Sequence, residues 1–281
     1  MAKHLWYATP DNGLAAVMYA DNSITAKVGY GQTVTIHQRT HYPFDNIVEL
    51  SIETDTPNRF PLYARVPGWC ESPEVQVNGN TIAIESKPQQ FILIQREWKK
   101  GDTVRLRLPM KLRVQRWLKN GNSASVHYGP LAFSLKIQEN RVSTNGMDYP
   151  FGNGLRELCR QYQVDIQRFS GTDKWPAFNL LPGSLWNYGL ALTGDEAEKQ
   201  FNVIQRPWPF NDMPFTHDGA PIVIEAPARR IPQWKIANNN LIEPLPDSPV
   251  TTDEPIETIE LIPMGAARLR LSAFPVVVTA D

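Results

Sequence analysis

The sequence predicts an all-β fold: two antiparallel β-sandwich (jelly-roll-like) domains with at most one or two short helices. Three observations point there. Apolar and polar residues alternate with period two in one segment after another, the mark of strands with one dry and one wet face. Turn residues separate these segments at intervals of about 10–15 residues, a spacing typical of sandwiches. The 24 prolines and 17 glycines are spread along the chain, which disfavours long helices.

Taken in order, Gly13–Tyr19 reads as an opening strand free to pair with either half of the chain. Val34 and Ile36 alternate with Thr33, Thr35 and His37. Val48, Leu50 and Ile52 alternate with Glu49, Ser51 and Glu53. Leu62, Ala64 and Val66 flank Tyr63 and Arg65, and Val104, Leu106 and Leu108 flank Arg105 and Arg107. Asp11-Asn12-Gly13, Asn78-Gly79 and Lys100-Gly101-Asp102 supply turns between them. Further strands are predicted over 125–137, 190–192, 201–204, 222–226, 256–262 and 268–274. Leu155, Leu158, Cys159 and Tyr162 have helical spacing. The Asn-, Pro- and acid-rich stretch 238–255 reads as a surface loop. Strand spacing lengthens near Pro109–Trp117, which places a first sandwich at 1–114 and a second at 115–281, with strand 13–19 assignable to either.

A chain of 281 residues, 42% apolar and 20% charged, can bury two cores. Its net charge of −1 offers no long-range attraction for nucleic acid or an anionic membrane. No apolar run approaches the roughly 18–20 residues of a membrane span. No signal peptide opens the chain, whose start reads as cut into mid-protein, so the compartment stays open between bacterial cytoplasm and periplasm.

Chemistry-bearing patterns are sparse. His4, His37, His41, His127 and His217 show no zinc-ligand spacing. Cys70 and Cys159 stand far apart and read as two free thiols rather than a disulfide framework. There is no G-x-S-x-G elbow and no complete dinucleotide fingerprint. No carboxylate spacing marks a glycosidase pair, although a hydrolase with an unrecognised pair remains one reading. Aromatics are the conspicuous class, with eight tryptophans, several beside Pro or Gly. Trp175, Trp186, Asn187 and Tyr188, with Trp69 in its Pro-Gly-Trp turn, are the candidates for carbohydrate or interdomain contact, since indoles stack on sugar faces and equally plug sandwich ends.

A set of phrases, in order, resembles the C-terminal region of glycoside hydrolase family 127, the β-L-arabinofuranosidase-like proteins. They begin with Thr9-Pro-Asp-Asn-Gly-Leu-Ala-Ala-Val-Met-Tyr19 and Phe60-Pro-Leu-Tyr-Ala-Arg-Val-Pro-Gly-Trp69. Trp98-Lys-Lys-Gly-Asp102, Tyr128-Gly-Pro-Leu-Ala-Phe133, Leu181-Pro-Gly-Ser-Leu-Trp-Asn-Tyr-Gly-Leu190 and Leu261-Ile-Pro-Met-Gly-Ala-Ala-Arg-Leu-Arg270 continue it. The resemblance implies a parent with an N-terminal (α/α)6 barrel followed by two β-sandwiches. It places catalysis in the barrel, where a cysteine nucleophile lies in a zinc site of Cys and Glu ligands. This sequence has no adjacent cysteine pair, so no catalytic, cofactor-binding or metal residue carries over, and zinc is expected only in the barrel.

The expected role is therefore non-catalytic: bracing that barrel, with homodimerisation and contact with arabinose-containing, plant-type glycans as accompanying expectations. The alternative is a free-standing carbohydrate-binding module. A barrel-docking role also predicts an exposed apolar, aromatic-rich face.

Overall fold

The computed structural model describes residues 4–85, 87–143, 160–161, 163, 174–194, 197–237 and 242–279. The chain divides into two compact units, one of residues 1–112 with 128–131 and one of residues 113–127 with 132–281. Both are β-structures, and their alternating segments are what make them so.

The first unit contains β1 (Trp6–Ala8), β2 (Leu14–Ala16), β3 (Asn22–Val28), β4 (Gln32–Arg39), β5 (Ile47–Thr54), β6 (Asn58–Arg65), β7 (Glu74–Val77), β8 (Asn80–Ile82), β9 (Phe91–Trp98) and β10 (Thr103–Arg107). They form two sheets, one ordered β1-β2-β6-β9 and the other β3-β4-β5-β10-β7-β8. Pairing is antiparallel throughout except between β2 and β6, which run parallel with Leu14 opposite Leu62. The opening strand thus belongs to the first unit.

Period-two patterning decides which face is dry. Val34, Ile36, Val48, Leu50, Ile52, Val104 and Leu106 from one sheet meet Phe60, Leu62, Ala64, Ile92 and Trp98 from the other in one core, and each is at most 2% exposed. Trp98 satisfies its indole N–H on the Phe60 carbonyl at 3.0 Å, which lets the largest aromatic side chain lie fully inside. Strands β9 and β10 follow one another but lie in different sheets. The corner between them is held by Asp102, whose carboxylate accepts the Lys99 N–H at 2.9 Å and the Asn78 amide at 2.8 Å.

The second unit contains β11 (Leu112–Trp117), β12 (Ser123–Tyr128), β13 (Leu131–Leu135), β14 (Glu139–Ser143), β15 (Phe178–Pro182), β16 (Tyr188–Leu190), β17 (Asn202–Gln205), β18 (Ile222–Arg230), β19 (Val250–Thr251), β20 (Glu257–Pro263) and β21 (Val277–Val278). Seven strands make one sheet, ordered β11-β12-β13-β20-β18-β16 with β17 alongside β18. β14 pairs with β15 in an antiparallel ribbon, and β19 with β21 in a short parallel one. Short 3-10 turns lie at Ala197–Gln200 and Met264–Ala266. Along Ile222-Val223-Ile224 and Leu261-Ile262 alternation gives way to a continuous apolar run, because both faces of the sheet are covered there. Val223 and Ile262 pack with Ala220, Ala266 and Ala267 on one side.

Two sequence expectations differ from the structure. The segment 125–137 is two strands, broken by a turn in which Gly129 has φ +53°. Residues 268–274 form no named strand. The Leu271 N–H goes to the Ser134 hydroxyl at 2.9 Å, and that hydroxyl in turn donates at 3.1 Å to the Leu271 carbonyl, which also accepts the Leu135 N–H at 2.9 Å, so a side chain takes the place of one rung of the ladder. The helix expected from Leu155, Leu158, Cys159 and Tyr162 lies outside the described residues. Loop 238–255 is irregular from 242 to 249 and includes β19.

Candidate functional site

The residues singled out by sequence have different fates. In the first unit, Trp69 is half-buried and stacks on Tyr42, with ring centres 6.5 Å apart, and Tyr42 meets Tyr19 edge-on at 5.9 Å. Burial pushes both tyrosine hydroxyls upward, and the Tyr19 hydroxyl donates to the Arg65 carbonyl at 2.5 Å. Trp69 therefore closes a core edge.

In the second unit Asn187 is a clasp. Its amide donates to the Ile231 carbonyl at 2.9 Å and the Trp234 carbonyl at 3.2 Å, while its own backbone carbonyl accepts the Ile231 N–H at 2.8 Å. Tyr188 is buried and donates to Glu257 at 2.9 Å; burial first, and that carboxylate second, push its pKa up to about 12. Trp186 packs edge-on against Trp234 at 5.1 Å and lines an apolar hollow of about 150 Å³ with Leu180, Leu181, Ile236 and Ile242. Trp175 is 73% exposed, with the Lys174 ammonium 5.9 Å from its ring, and is not among the residues lining that hollow.

A more polar cleft borders the same hollow and shares Arg270 with it. It has a volume of about 450 Å³, and Glu139, Phe215, His217, Asp218, Arg268 and Arg270 line it. Glu139 opens β14. The arginines follow the 3-10 turn at Met264–Ala266, and the other three sit on the loop ahead of β18. Glu139 is held by Arg268 at 3.3 Å through one oxygen, and its other oxygen is buried without a partner. His217 donates from Nε2 to the Ile137 carbonyl at 3.0 Å, and its Nδ1 faces Asp218 at 3.2 Å. Phe215 lies against Gly265, where a Cβ would come within 2.8 Å of the ring, so this glycine is what admits the aromatic face.

Behind the cleft, Lys136 bridges Asp218 at 2.9 Å and Glu260 at 3.0 Å, and Arg206 binds Glu260 at 2.6 Å. The Lys136 hydrogen bond holds Asp218 below the usual carboxylate range. Burial alone would raise Glu260, but bonds from Lys136 and Arg206 more than offset it and hold it low. Both carboxylates are thus anions at neutral pH, and neither can donate the proton that glycoside cleavage needs. Among the described residues no group of three His, Cys, Asp or Glu side chains could hold a metal.

The first unit presents two contrasting outer faces. Across the six-stranded sheet the register aligns Arg39, Glu49, Arg105 and Gln76 in one polar row. Across the four-stranded sheet it aligns Tyr7, Ala15, Tyr63 and Leu93, with Phe91 next along β9. Tyr7, Phe91 and Leu93 are each more than 40% exposed.

Residues 13–110 match the family described as beta-L-arabinofuranosidase, GH127 middle domain. The matched segment falls within the first unit and contributes Ala15, Tyr63, Phe91 and Leu93 to its apolar row, whereas Tyr7 lies ahead of it. Over 99% of its length the whole chain is similar in fold to a GH127 β-L-arabinofuranosidase from Geobacillus stearothermophilus T6, with 20% identity and a TM-score of 0.60. Two further structures, a glycoside hydrolase and a GH127 β-arabinofuranosidase, match over 95% of the chain with 18% and 17% identity, each with a TM-score of 0.57. The chain spans only 35% or 36% of those structures' lengths. No curated protein matches the chain. No helix of the described residues is long and apolar enough to cross a membrane.

Glu139, Phe215, Arg268 and Arg270 escaped the sequence reading. Arg268 and Arg270 end a phrase that carries the family resemblance, which was the available signal. Glu139 had none, because its neighbours in the cleft come from segments about 80 and 130 positions away.

Proposed function

We propose that this chain is the non-catalytic β-sandwich portion of a GH127-type glycoside hydrolase and that it braces a catalytic barrel. The observation that carries this reading is the middle-domain match, joined to a fold likeness that covers 99% of this chain and 35% of a GH127 β-L-arabinofuranosidase. The apolar row Tyr7–Tyr63–Leu93 on the first unit supports it, as a face suited to docking a helical partner. In the second unit, Phe210 and Met213 are also strongly exposed. Homodimerisation through one of these faces is part of the proposal. Zinc and the nucleophilic cysteine belong to the barrel in this reading, and no adjacent cysteine pair in this chain fits that site.

The test is hydrolysis of p-nitrophenyl β-L-arabinofuranoside by the purified chain. No nitrophenol above the buffer rate is expected, with and without added zinc. Turnover that grows with protein concentration would overturn the proposal.

A further inference from the structure

We infer that the polar cleft of the second unit binds a neutral saccharide, with Glu139 accepting a sugar hydroxyl, Arg268 and Arg270 donating to sugar oxygens, and Phe215 offering a ring face. Four observations converge on it. The cleft volume of about 450 Å³ falls within the range of about 300–1,000 Å³ common to small-ligand sites. Its charged lining is balanced, with Glu139 and Asp218 against Arg268 and Arg270, so neither a strong anion nor a cation is favoured. A ligand that both donates and accepts suits such a lining, and vicinal hydroxyls do both.

The third observation is the buried oxygen of Glu139 that lacks a donor. A buried polar group left unpaired costs about 1–3 kcal/mol, and more when charged. The terminal carboxyl torsion of Glu is soft, so a small rotation presents that oxygen to a hydroxyl in the cleft. The fourth is Gly265, whose missing Cβ lets the Phe215 ring lie over the turn, where it can face sugar C–H groups.

Arg270 borders both this cleft and the apolar hollow lined by Trp186. A longer saccharide seated in the cleft would pass Arg270 and reach the indole. The inference is independent of the accessory reading, since binding requires neither turnover nor a barrel.

The experiment is an NMR or calorimetric titration of the full chain with arabinose, arabino-oligosaccharides, galacturonate and inorganic phosphate. Saturable binding of the neutral sugars is expected, tighter for the oligosaccharides. Glu139→Gln, which keeps shape, should weaken it roughly tenfold, the loss of one charge-assisted hydrogen bond. Phe215→Ala should weaken it, and Trp186→Ala should affect oligosaccharides alone. Arg107→Ala, in the first unit, should change nothing, and circular dichroism melting of every variant separates lost folding from lost binding. Three results would overturn the inference: no saturable binding, which leaves the Glu139 oxygen to solvent; binding of phosphate or galacturonate in preference to neutral sugars; or sugar binding that Glu139→Gln and Phe215→Ala both leave intact.

Discussion

Asp102 shows how one side chain fixes a corner. Its two oxygens take the Lys99 N–H and the Asn78 amide, with Arg96 at 3.7 Å, while Asn78 also accepts the Thr103 N–H at 2.8 Å. Burial pushes its pKa up, but these bonds more than offset that and hold it below the usual carboxylate range. A carboxylate with a lowered folded pKa stabilises the fold above its unfolded value, and that contribution fades as pH falls through the folded one. Asp102→Asn should therefore cost about 1–3 kcal/mol at pH 7, with a smaller difference from the parent at pH 3. Urea titration at the two pH values measures it, and an undiminished gap at pH 3 would show that charge is not what the corner uses. The residue was legible in sequence only as part of a Lys-Gly-Asp turn. Its partner Asn78 lies in another turn, and only the closed sheet brings the two together.

At the scale of elements, legibility followed the covering of faces. β4, β5 and β10 each have one wet face, so their strict alternation marked both the strand and its buried side. β18 and β20 are covered on both sides, which erases the period that a reader of the sequence relies on. Residues 268–274 alternate convincingly, yet they make only isolated pairings: Phe274 bridges Ala124, and the Leu271 N–H goes to the side chain of Ser134, 137 positions away. The Asn78-Gly79 turn was readable from its dipeptide alone. Both residues have positive φ, +51° and +78°, as a two-residue hairpin between β7 and β8 requires. A Cβ on Gly79 would meet nothing within 4 Å, so Gly79→Ala should carry only the backbone cost of about 1–2 kcal/mol. Chemical denaturation measures that loss; a cost well above this range would mean that the turn touches more than its own strands.

At the scale of the whole molecule, the two units are separately cored, and Cys70 reports on the first. It is fully buried and uncrosslinked, and burial pushes its thiol up. In a Cys159→Ser background, Cys70 should react with a disulfide reagent only as fast as the first unit opens, and at once in denaturant. Rapid labelling of the native chain would contradict the core described above. The candidate cleft belongs to this scale as well: its lining is gathered from three distant segments, and only the assembled sheet of the second unit brings them together.

The outer position of β9 has a consequence for crowded solutions. This eight-residue strand closes the four-stranded sheet and, among the described residues, is paired only to β6. Its first half reads Phe91-Ile92-Leu93-Ile94. Such an unguarded run on an open border can template the addition of a like strand from another molecule, and so seed fibrils. The second half, Gln95-Arg96-Glu97, interrupts the run with charge, and β3 and β8 close the other sheet with a lysine-bearing polar strand and a three-residue stub. Association of native copies is thereby steered away from β3, β8 and the charged half of β9, and the apolar half of β9 is where misassembly on heating would begin.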